Sequence, residues 1–283
     1  MNRKHLFKIA PLCLAAGMLL SSCASDGGTA ETENNRLVNP NAASENHITA
    51  SDVSTENTEP SSDTSAPDTN EEPPKTAEVP VPEDYIDRMV FLGNSTTYGL
   101  RYYEVLKGGK DTTQVWTPAS GTLSMYNLTE ATIVYPEAQN AAEKNLTIRE
   151  ALIRKQPEYF VITLGVNGIA AIKEDAFKTA YKSVIEITKE ASPNTKIICQ
   201  SMYPVAKNYD KLGSINNQKI SMGNEWIKAV AEETGVHYVD SYSVLIGEDG
   251  WLPQEYTNGD GLHLSPEGFA VVIENLEANP YPG

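Results

Sequence analysis

The sequence predicts an α/β protein, a three-layer α/β/α sandwich around a mainly parallel sheet, from two observations. First, four short apolar runs do not alternate with polar residues, as expected of strands buried on both faces. They cover residues 89–92, 159–164, 196–200 and 236–239. Second, segments with apolar residues at helical spacing lie between these runs, and such strand–helix alternation is typical of this architecture. Ligands of these folds bind beyond the carboxyl ends of the strands, so the residues after each strand are the candidates for function.

The helices follow from spacing and from end signals. Helices are predicted over 147–155 and 266–276, and Ser265 and Pro266 suit an N-cap and a first helical position. Two further helices are indicated by apolar residues that repeat at helical spacing: Phe177, Tyr181, Val184 and Ile185 in one, and Met222, Trp226, Ile227, Val230 and Ala231 in the other.

Composition excludes several classes of function. The 283 residues include 22 Lys and Arg against 38 Asp and Glu, a formal charge of −16, with a mean hydropathy of −0.37. These values exclude a polytopic membrane protein and argue against nucleic acid as a partner, which needs a cationic face. The chain has no glycine-rich phosphate loop and no dinucleotide fingerprint, so we expect no cofactor. Residues 258–261 lack the ligand spacing of a calcium loop, so we also expect no metal.

The amino terminus predicts a targeting segment over residues 1–22. A basic start precedes an apolar run over 9–20, which is too short to span a membrane but suits a secretory signal. The stretch from Leu20 to Cys23 resembles the lipobox of bacterial lipoproteins. That resemblance implies diacylation of Cys23, a membrane anchor, and a location in the bacterial cell envelope facing outside the cytoplasm. An ordinary secreted protein cut nearby is the alternative.

Residues 23–82 are predicted to be a tether. From 24 to 82 there is no aromatic residue, and 12 acidic residues stand against Arg36 and Lys75. Such a stretch cannot bury enough apolar surface to offset its ordering entropy, and it would span on the order of 45 Å as a flexible coil. Residues 83–283 then form one domain of net charge −9, in which Cys199 is the only thiol. No intrachain disulfide is therefore expected.

Polar segments follow the first two long predicted strands, at 93–96 and 165–168, and a third lies near the carboxyl terminus at 258–265. Ser95 follows the first strand, and Asp260 and His263 lie three residues apart on a turn that contains glycine. A serine hydroxyl needs a base to act as a nucleophile, an imidazole can be that base, and a carboxylate can orient the imidazole. His5 and His47 lie in the signal and the tether, and His237 lies in a strand pattern where we expect a packed, hydrogen-bonded ring. His263 is therefore the candidate base.

The segments Gly93-Asn94-Ser95, Gly165-x-Asn167 and Asp260-x-x-His263, with a glycine between the first two, resemble the SGNH/GDSL hydrolases over residues 86–279. The resemblance implies their flavodoxin-like sandwich. It also implies that Ser95 is the nucleophile, His263 the base and Asp260 its orienting partner. The Ser95 amide, Gly121 and Asn167 would form the oxyanion hole.

Two residues depart from the pattern of this family. Asn94 stands where the family usually has Asp, but it keeps an acceptor oxygen and tolerates a tight turn. Gly168 stands where a supporting Asp usually follows Asn167. We expect both departures to leave the fold intact and to bear only on activity.

The resulting hypothesis is a cell-surface serine esterase that hydrolyses acyl esters, with O-acyl glycans or small acyl esters as substrates. A lysophospholipase or an acyltransferase of the same family is one alternative. Another is a tethered glycan-binding protein on a degenerate SGNH fold. A transporter-binding lipoprotein fits poorly, because such proteins usually need two lobes. The aromatic residues near the predicted site suit either stacking on substrate or packing at its rim, and they are Tyr98, Tyr102, Tyr103, Trp116, Tyr203, Trp251 and Tyr256.

Overall fold

The computed structural model describes residues 81–282. Their main feature is a five-stranded parallel sheet. In chain order the seven strands of this part are β1 (Met89–Gly93), β2 (Val115–Trp116), β3 (Thr132–Val134), β4 (Asn145–Thr147), β5 (Tyr159–Thr163), β6 (Lys196–Gln200) and β7 (His237–Val239). The sheet has the order β2-β1-β5-β6-β7, and β3 pairs with β4 as an antiparallel hairpin. The predicted signal, Cys23 and the tether up to residue 80 lie outside the described residues.

Helices cover both faces of the sheet. They are α1 (Ser95–Tyr102), α2 (Ile148–Lys155), α3 (Glu174–Ala191), α4 (Asn217–Thr234), α5 (Tyr242–Leu245) and α6 (Pro266–Ala278). The apolar residues of α2, α3 and α4 join one buried cluster with one face of the sheet. Those of α1 and α6 join a second cluster on the other face. The predicted three-layer α/β/α sandwich is confirmed.

Strand β1 shows how the sequence builds these layers. Successive side chains of a strand point to opposite faces. Val90 and Leu92 accordingly lie in the cluster with α2, α3 and α4, whereas Met89 and Phe91 lie in the cluster with α1 and α6. All of them are buried. Burial on both faces is the reason that the sequence shows a continuous apolar run here.

The four predicted strands and four predicted helices are present, with shifts of one or two residues at some ends. Ser265 caps α6 by accepting a hydrogen bond from the Gly268 N–H, and Pro266 is the first helical residue. His237 is packed as expected, with its Nε2 atom 3.1 Å from the Asn279 carbonyl oxygen. The free Cys199 thiol is fully buried, and burial raises its pKa to about 12.

Five elements were not predicted: α1, α5, β2 and the β3–β4 hairpin. The strands among them have two or three residues each, which is too short to show a period. Helix α1 contains Thr96, Thr97 and Gly99, which favour a helix weakly. No helix of residues 81–282 has the length and apolar character needed to cross a membrane.

Candidate active site

The site lies where the sheet order reverses. Connections from β1 run to β2 on one side, while the chain continues through β5 on the other. The loops that leave β1 and β5 therefore diverge, and this switch point opens a crevice at the carboxyl ends of the strands. Ser95 follows β1, and Asn167 follows β5, whose Thr163 pairs with Gly93.

Three predicted side chains form a continuous hydrogen-bonded chain in this crevice. The His263 Nε2 atom is 2.9 Å from the Ser95 Oγ atom, and the His263 Nδ1 atom is 2.7 Å from the Asp260 Oδ2 atom. An ionised carboxylate can only accept hydrogen bonds, so Nδ1 carries the proton of the neutral ring. The lone pair of Nε2 is then left facing the Ser95 hydroxyl.

The turn that carries Asp260 and His263 depends on glycine at position 261. Gly261 has a φ of +79°, and a Cβ atom there would lie 2.7 Å from the Tyr209 backbone nitrogen. The Gly261 carbonyl also accepts a hydrogen bond from the Ala206 N–H at 2.8 Å. The turn is thus docked closely on the loop after β6, which fixes the position of both side chains.

Hydrogen bonds hold the Asp260 carboxyl in its ionised form. Its Oδ1 atom accepts from the backbone N–H groups of Leu262, at 2.8 Å, and of His263, at 2.9 Å. Partial burial would raise the pKa of Asp260, but the hydrogen bonds from the His263 backbone and ring and from Leu262 outweigh it and lower that pKa. Asp260 is consequently a fixed acceptor for the imidazole.

Ser95 is positioned by the start of α1. Asn94 is the N-cap of this helix, and its Oδ1 atom accepts from the Thr96 N–H at 3.0 Å and from the Thr96 hydroxyl at 2.8 Å. Asn94 is buried, and its Nδ2 atom has no hydrogen-bond partner within the described residues. The acceptor role expected of this residue is confirmed, while its amide nitrogen is left unsatisfied.

Of the three oxyanion-hole groups named from the sequence, Ser95 and Gly121 are in contact, and the N–H groups of both are engaged in hydrogen bonds. The Ser95 N–H donates to the Gly121 carbonyl at 2.8 Å, and the Gly121 N–H donates to the Pro118 carbonyl at 3.0 Å. Asn167 is exposed on the turn after β5, and its side chain makes no hydrogen bond within residues 81–282. The role of these three residues stays a prediction.

Packing accounts for the glycine at position 168, where the family pattern has an Asp. A Cβ atom at this position would lie 2.8 Å from the Met125 Cγ atom. Met125 is itself buried in the core cluster with α2, α3 and α4. The segment before the β3–β4 hairpin thus fills the space that a side chain at 168 would need.

A cleft of about 750 Å³ opens beside Ser95 between α1, the Pro118–Gly121 turn and the β3–β4 hairpin. Tyr98 and Tyr102 stand on its rim with 45% and 60% of their surface exposed, and both also line a second depression of about 360 Å³ next to His263. Trp116 and Tyr203 do not belong to the rim, because both are buried in the core.

Several side chains near the site were not singled out from the sequence. Arg101 and Lys144 line the cleft although they come from α1 and from the β3–β4 hairpin. Beneath the crevice, Gln200 joins Thr163 and Ser241 in a buried hydrogen-bond network. A glutamine at the end of an apolar strand was the one available signal. No group of three or more His, Cys, Asp or Glu side chains in this part of the chain could hold a metal ion.

The fold and the Ser95–His263–Asp260 cluster define an α/β protein with a hydroxyl, an imidazole and a carboxylate at the carboxyl edge of its sheet. A family model described as GDSL-like Lipase/Acylhydrolase family matches residues 91–271. Because this match covers more than half of the chain, the protein belongs to that family. No curated protein matches the sequence significantly.

Solved structures similar to this chain include two from Bacteroides. A candidate acylhydrolase from Bacteroides fragilis is 26% identical with a TM-score of 0.50, covering 71% of this chain and 90% of its own. A GDSL-like lipase from Bacteroides thetaiotaomicron is 25% identical with a TM-score of 0.46, covering 70% and 88%. An acetyl xylan esterase is 18% identical with a TM-score of 0.47, covering 67% and 98%.

Proposed function

We propose that this protein is a serine esterase that hydrolyses acyl esters through an acyl-enzyme intermediate. The observation that carries the proposal is the hydrogen-bonded chain from the Ser95 Oγ atom through both ring nitrogens of His263 to Asp260. Membership of the GDSL-like lipase/acylhydrolase family supports the same reaction class. The cleft beside Ser95 gives an ester access to the hydroxyl.

The reaction follows from the roles that this geometry allows. The Ser95 Oγ atom bonds to the ester carbonyl carbon while its proton passes to the His263 Nε2 atom. The bond from that carbon to the alcohol oxygen then breaks, and the alcohol leaves with the proton from His263. Water next attacks the acyl group, giving its proton to His263, and the bond to Ser95 breaks as the serine regains a proton. Asp260 accepts the Nδ1–H throughout and stabilises the imidazolium.

Before the Ser95 N–H can donate to the oxyanion of a substrate, it must lose its present acceptor. The carbonyl of Gly121 now accepts the Ser95 N–H, so the substrate oxygen must replace it as the acceptor. Gly121 has a φ of +71°, and a residue without a Cβ atom can rotate its peptide at little cost. In this proposal the Asn167 amide, on the neighbouring strand end, supplies a further donor.

We further propose that the substrate is an O-acyl glycan or another small acyl ester outside the cytoplasm, reached from a lipid anchor on Cys23. Only the sequence supports this location, through the signal-like residues 1–22 and the acidic stretch 23–82. Exposed Tyr98 and Tyr102 support a sugar-containing substrate, because flat aromatic rings at the rim of a cleft can stack on sugar rings.

Hydrolysis of p-nitrophenyl acetate by the purified protein tests the reaction. We expect turnover that falls to background in Ser95→Ala, because the attacking atom is removed. Ser120→Ala is the matched control, since Ser120 is an exposed serine of the same cleft that no step of the mechanism uses. It should retain turnover.

A folded protein in which Ser95→Ala hydrolyses the ester as fast as the unchanged protein would overturn the proposal. Turnover lost in Ser120→Ala but retained in Ser95→Ala would contradict the assignment of the nucleophile. Circular dichroism of each variant establishes that it is folded.

A further inference from the structure

We propose that the substrate's alcohol part carries carboxylates, as in an O-acylated acidic glycan, and that Arg101 and Lys144 bind them. This inference rests on the proposed esterase function and names its substrate class. In this inference, Arg101 and Lys144 select acidic esters over neutral ones.

The charge of the cleft differs from that of the domain as a whole. Residues 83–283 hold 17 Lys and Arg against 26 Asp and Glu, so the domain is acidic. The cleft beside Ser95 reverses this balance, because its lining contains Arg101, Lys110 and Lys144 and a single carboxylate, Asp111. Cations outnumber carboxylates in this lining, and an excess of one sign of charge in a cleft concentrates ligands of the opposite sign.

Two of the three cations are available to a ligand. Within residues 81–282, no carboxylate lies within 4 Å of the charged groups of Arg101 or Lys144, whereas Lys110 pairs with Glu104 at 3.3 Å. The Arg101 Nε–H donates to the Lys110 carbonyl at 2.8 Å, which holds the guanidinium in place. Its terminal nitrogens have no hydrogen-bond or ion-pair partner in this part of the chain. They present the fork that suits a carboxylate.

The position of Arg101 suits recognition beyond the ester. Ser95 and Arg101 are the first and seventh residues of α1, and six residues of helix rise by about 9 Å. A group bound by Arg101 is therefore separated from the scissile bond and belongs to the body of the substrate. Arg101 acts on specificity without contacting the reacting atoms.

The shape of the surface favours a chain of sugars. Arg101, Val134 and Lys144 line both the cleft and an adjoining depression of about 350 Å³ under the hairpin loop. With the depression beside His263, these hollows continue on both sides of Ser95. The two cations thus stand along an extended surface instead of at the end of a closed pocket.

A long acyl chain suits the cleft less well than a polar chain. Hydrocarbon laid against Arg101 and Lys144 would remove their charged groups from water without a compensating partner, which is unfavourable. A small depression lined by Asn94, Thr163 and Tyr203 holds about 10 Å³, about enough for one water molecule, and offers no room for an acyl chain. A lysophospholipid also carries a negative charge, on its phosphate, but it has a long acyl chain. The experiment must therefore distinguish it from an acidic glycan.

The experiment compares kcat/KM for three esters with the full protein. They are an O-acetylated oligosaccharide of uronic acid units, the same oligosaccharide with its carboxyl groups reduced to alcohols, and a lysophosphatidic acid. We expect the acidic oligosaccharide to be preferred over the reduced one by on the order of 5- to 30-fold at low salt, since exposed ion pairs contribute a few-fold each. The preference should shrink at high salt.

Variants assign the preference to the two cations. Arg101→Gln with Lys144→Gln should reduce the ratio of acidic to reduced substrate to below about threefold, and Lys144→Gln alone, at an exposed position, should reduce it in part. Lys228→Gln, on the exposed side of α4, is the matched control and should leave the ratio unchanged.

Each result has one meaning. Equal hydrolysis of the two oligosaccharides, or a preference that survives the double substitution, overturns the inference while the esterase function stands. A preference for lysophosphatidic acid over both also overturns it. No Ser95-dependent hydrolysis of any of these esters or of p-nitrophenyl acetate overturns the proposed function itself.

Discussion

At the scale of single residues, the orientation of the His263 ring depends on one carboxylate, that of Asp260. Asp260 receives two backbone N–H groups and the ring of His263, so its carboxyl is oriented before any substrate arrives. The identity of Ser95, Asp260 and His263 could be predicted from spacing, because each stands beyond a predicted strand or on a polar turn. The roles of Arg101 and Lys144 could not, because only the folded hairpin brings these distant residues to one cleft.

Asp260→Asn tests the orienting role. An amide can no longer act as a charged acceptor for Nδ1–H, and the equivalent change in the Ser-His-Asp proteases lowers kcat by about 10⁴-fold. We expect a loss of about 10³- to 10⁴-fold in p-nitrophenyl acetate turnover. Asp111→Asn, which removes a carboxylate of the same cleft outside this cluster, should keep most of the activity. Comparable losses in both variants would contradict the role of Asp260.

Asp260→Asn should also change how the free energy of unfolding depends on pH. The pKa of Asp260 is lowered in the folded protein, so its ionised form favours folding at pH values above the ordinary carboxyl pKa of about 4. That contribution is lost as the pH falls through the lowered pKa. The difference in unfolding free energy between the protein and Asp260→Asn, measured in urea, should therefore be largest near neutral pH and shrink below about pH 4. A difference that grows with acidification would contradict the assignment.

At the scale of elements, the start of α1 positions Ser95 at the end of β1. This helix begins with Ser95, and its first turn is held by Asn94. The sequence predicted the long strands and helices because their apolar faces are extensive. It did not predict α1, whose Thr96, Thr97 and Gly99 are poor helix formers, or the β3–β4 hairpin, whose strands have three residues each. Tertiary packing, including the burial of Leu100, stabilises what local propensity does not.

Asn94→Ala tests this link. Loss of an N-cap typically costs about 0.5–2 kcal/mol, and here it also loosens the backbone that carries Ser95. We expect lower stability together with a loss of turnover. Asn216→Ala is the matched control, because Asn216 caps α4 by accepting from the Lys219 N–H at 3.0 Å, away from the cleft. It should lower the free energy of unfolding by a similar amount and leave kcat unchanged.

Urea unfolding and p-nitrophenyl acetate kinetics on the same preparations separate the two effects. Equal kinetics in Asn94→Ala and Asn216→Ala would show that the cap of α1 matters only for stability.

At the scale of the whole molecule, charge is distributed unevenly between surface and cleft. An acidic domain carries a cleft beside Ser95 in which cations outnumber carboxylates, and an acidic stretch is predicted to precede it. Within the described part, the two ends meet, since the Tyr281 N–H donates to the Tyr85 hydroxyl at 2.8 Å. The predicted start of the domain at residue 83 would retain this contact.

In the proposed mechanism, Ser95 is a nucleophile activated by His263. Its most direct test is labelling of the purified protein with a fluorophosphonate, followed by peptide mass spectrometry. The Ser95 Oγ atom should bond to phosphorus as fluoride leaves and His263 takes the proton. We predict one adduct, on Ser95, which disappears in Ser95→Ala and forms far more slowly in His263→Ala. A folded protein that carries no adduct, or carries it on Ser120, would contradict the account.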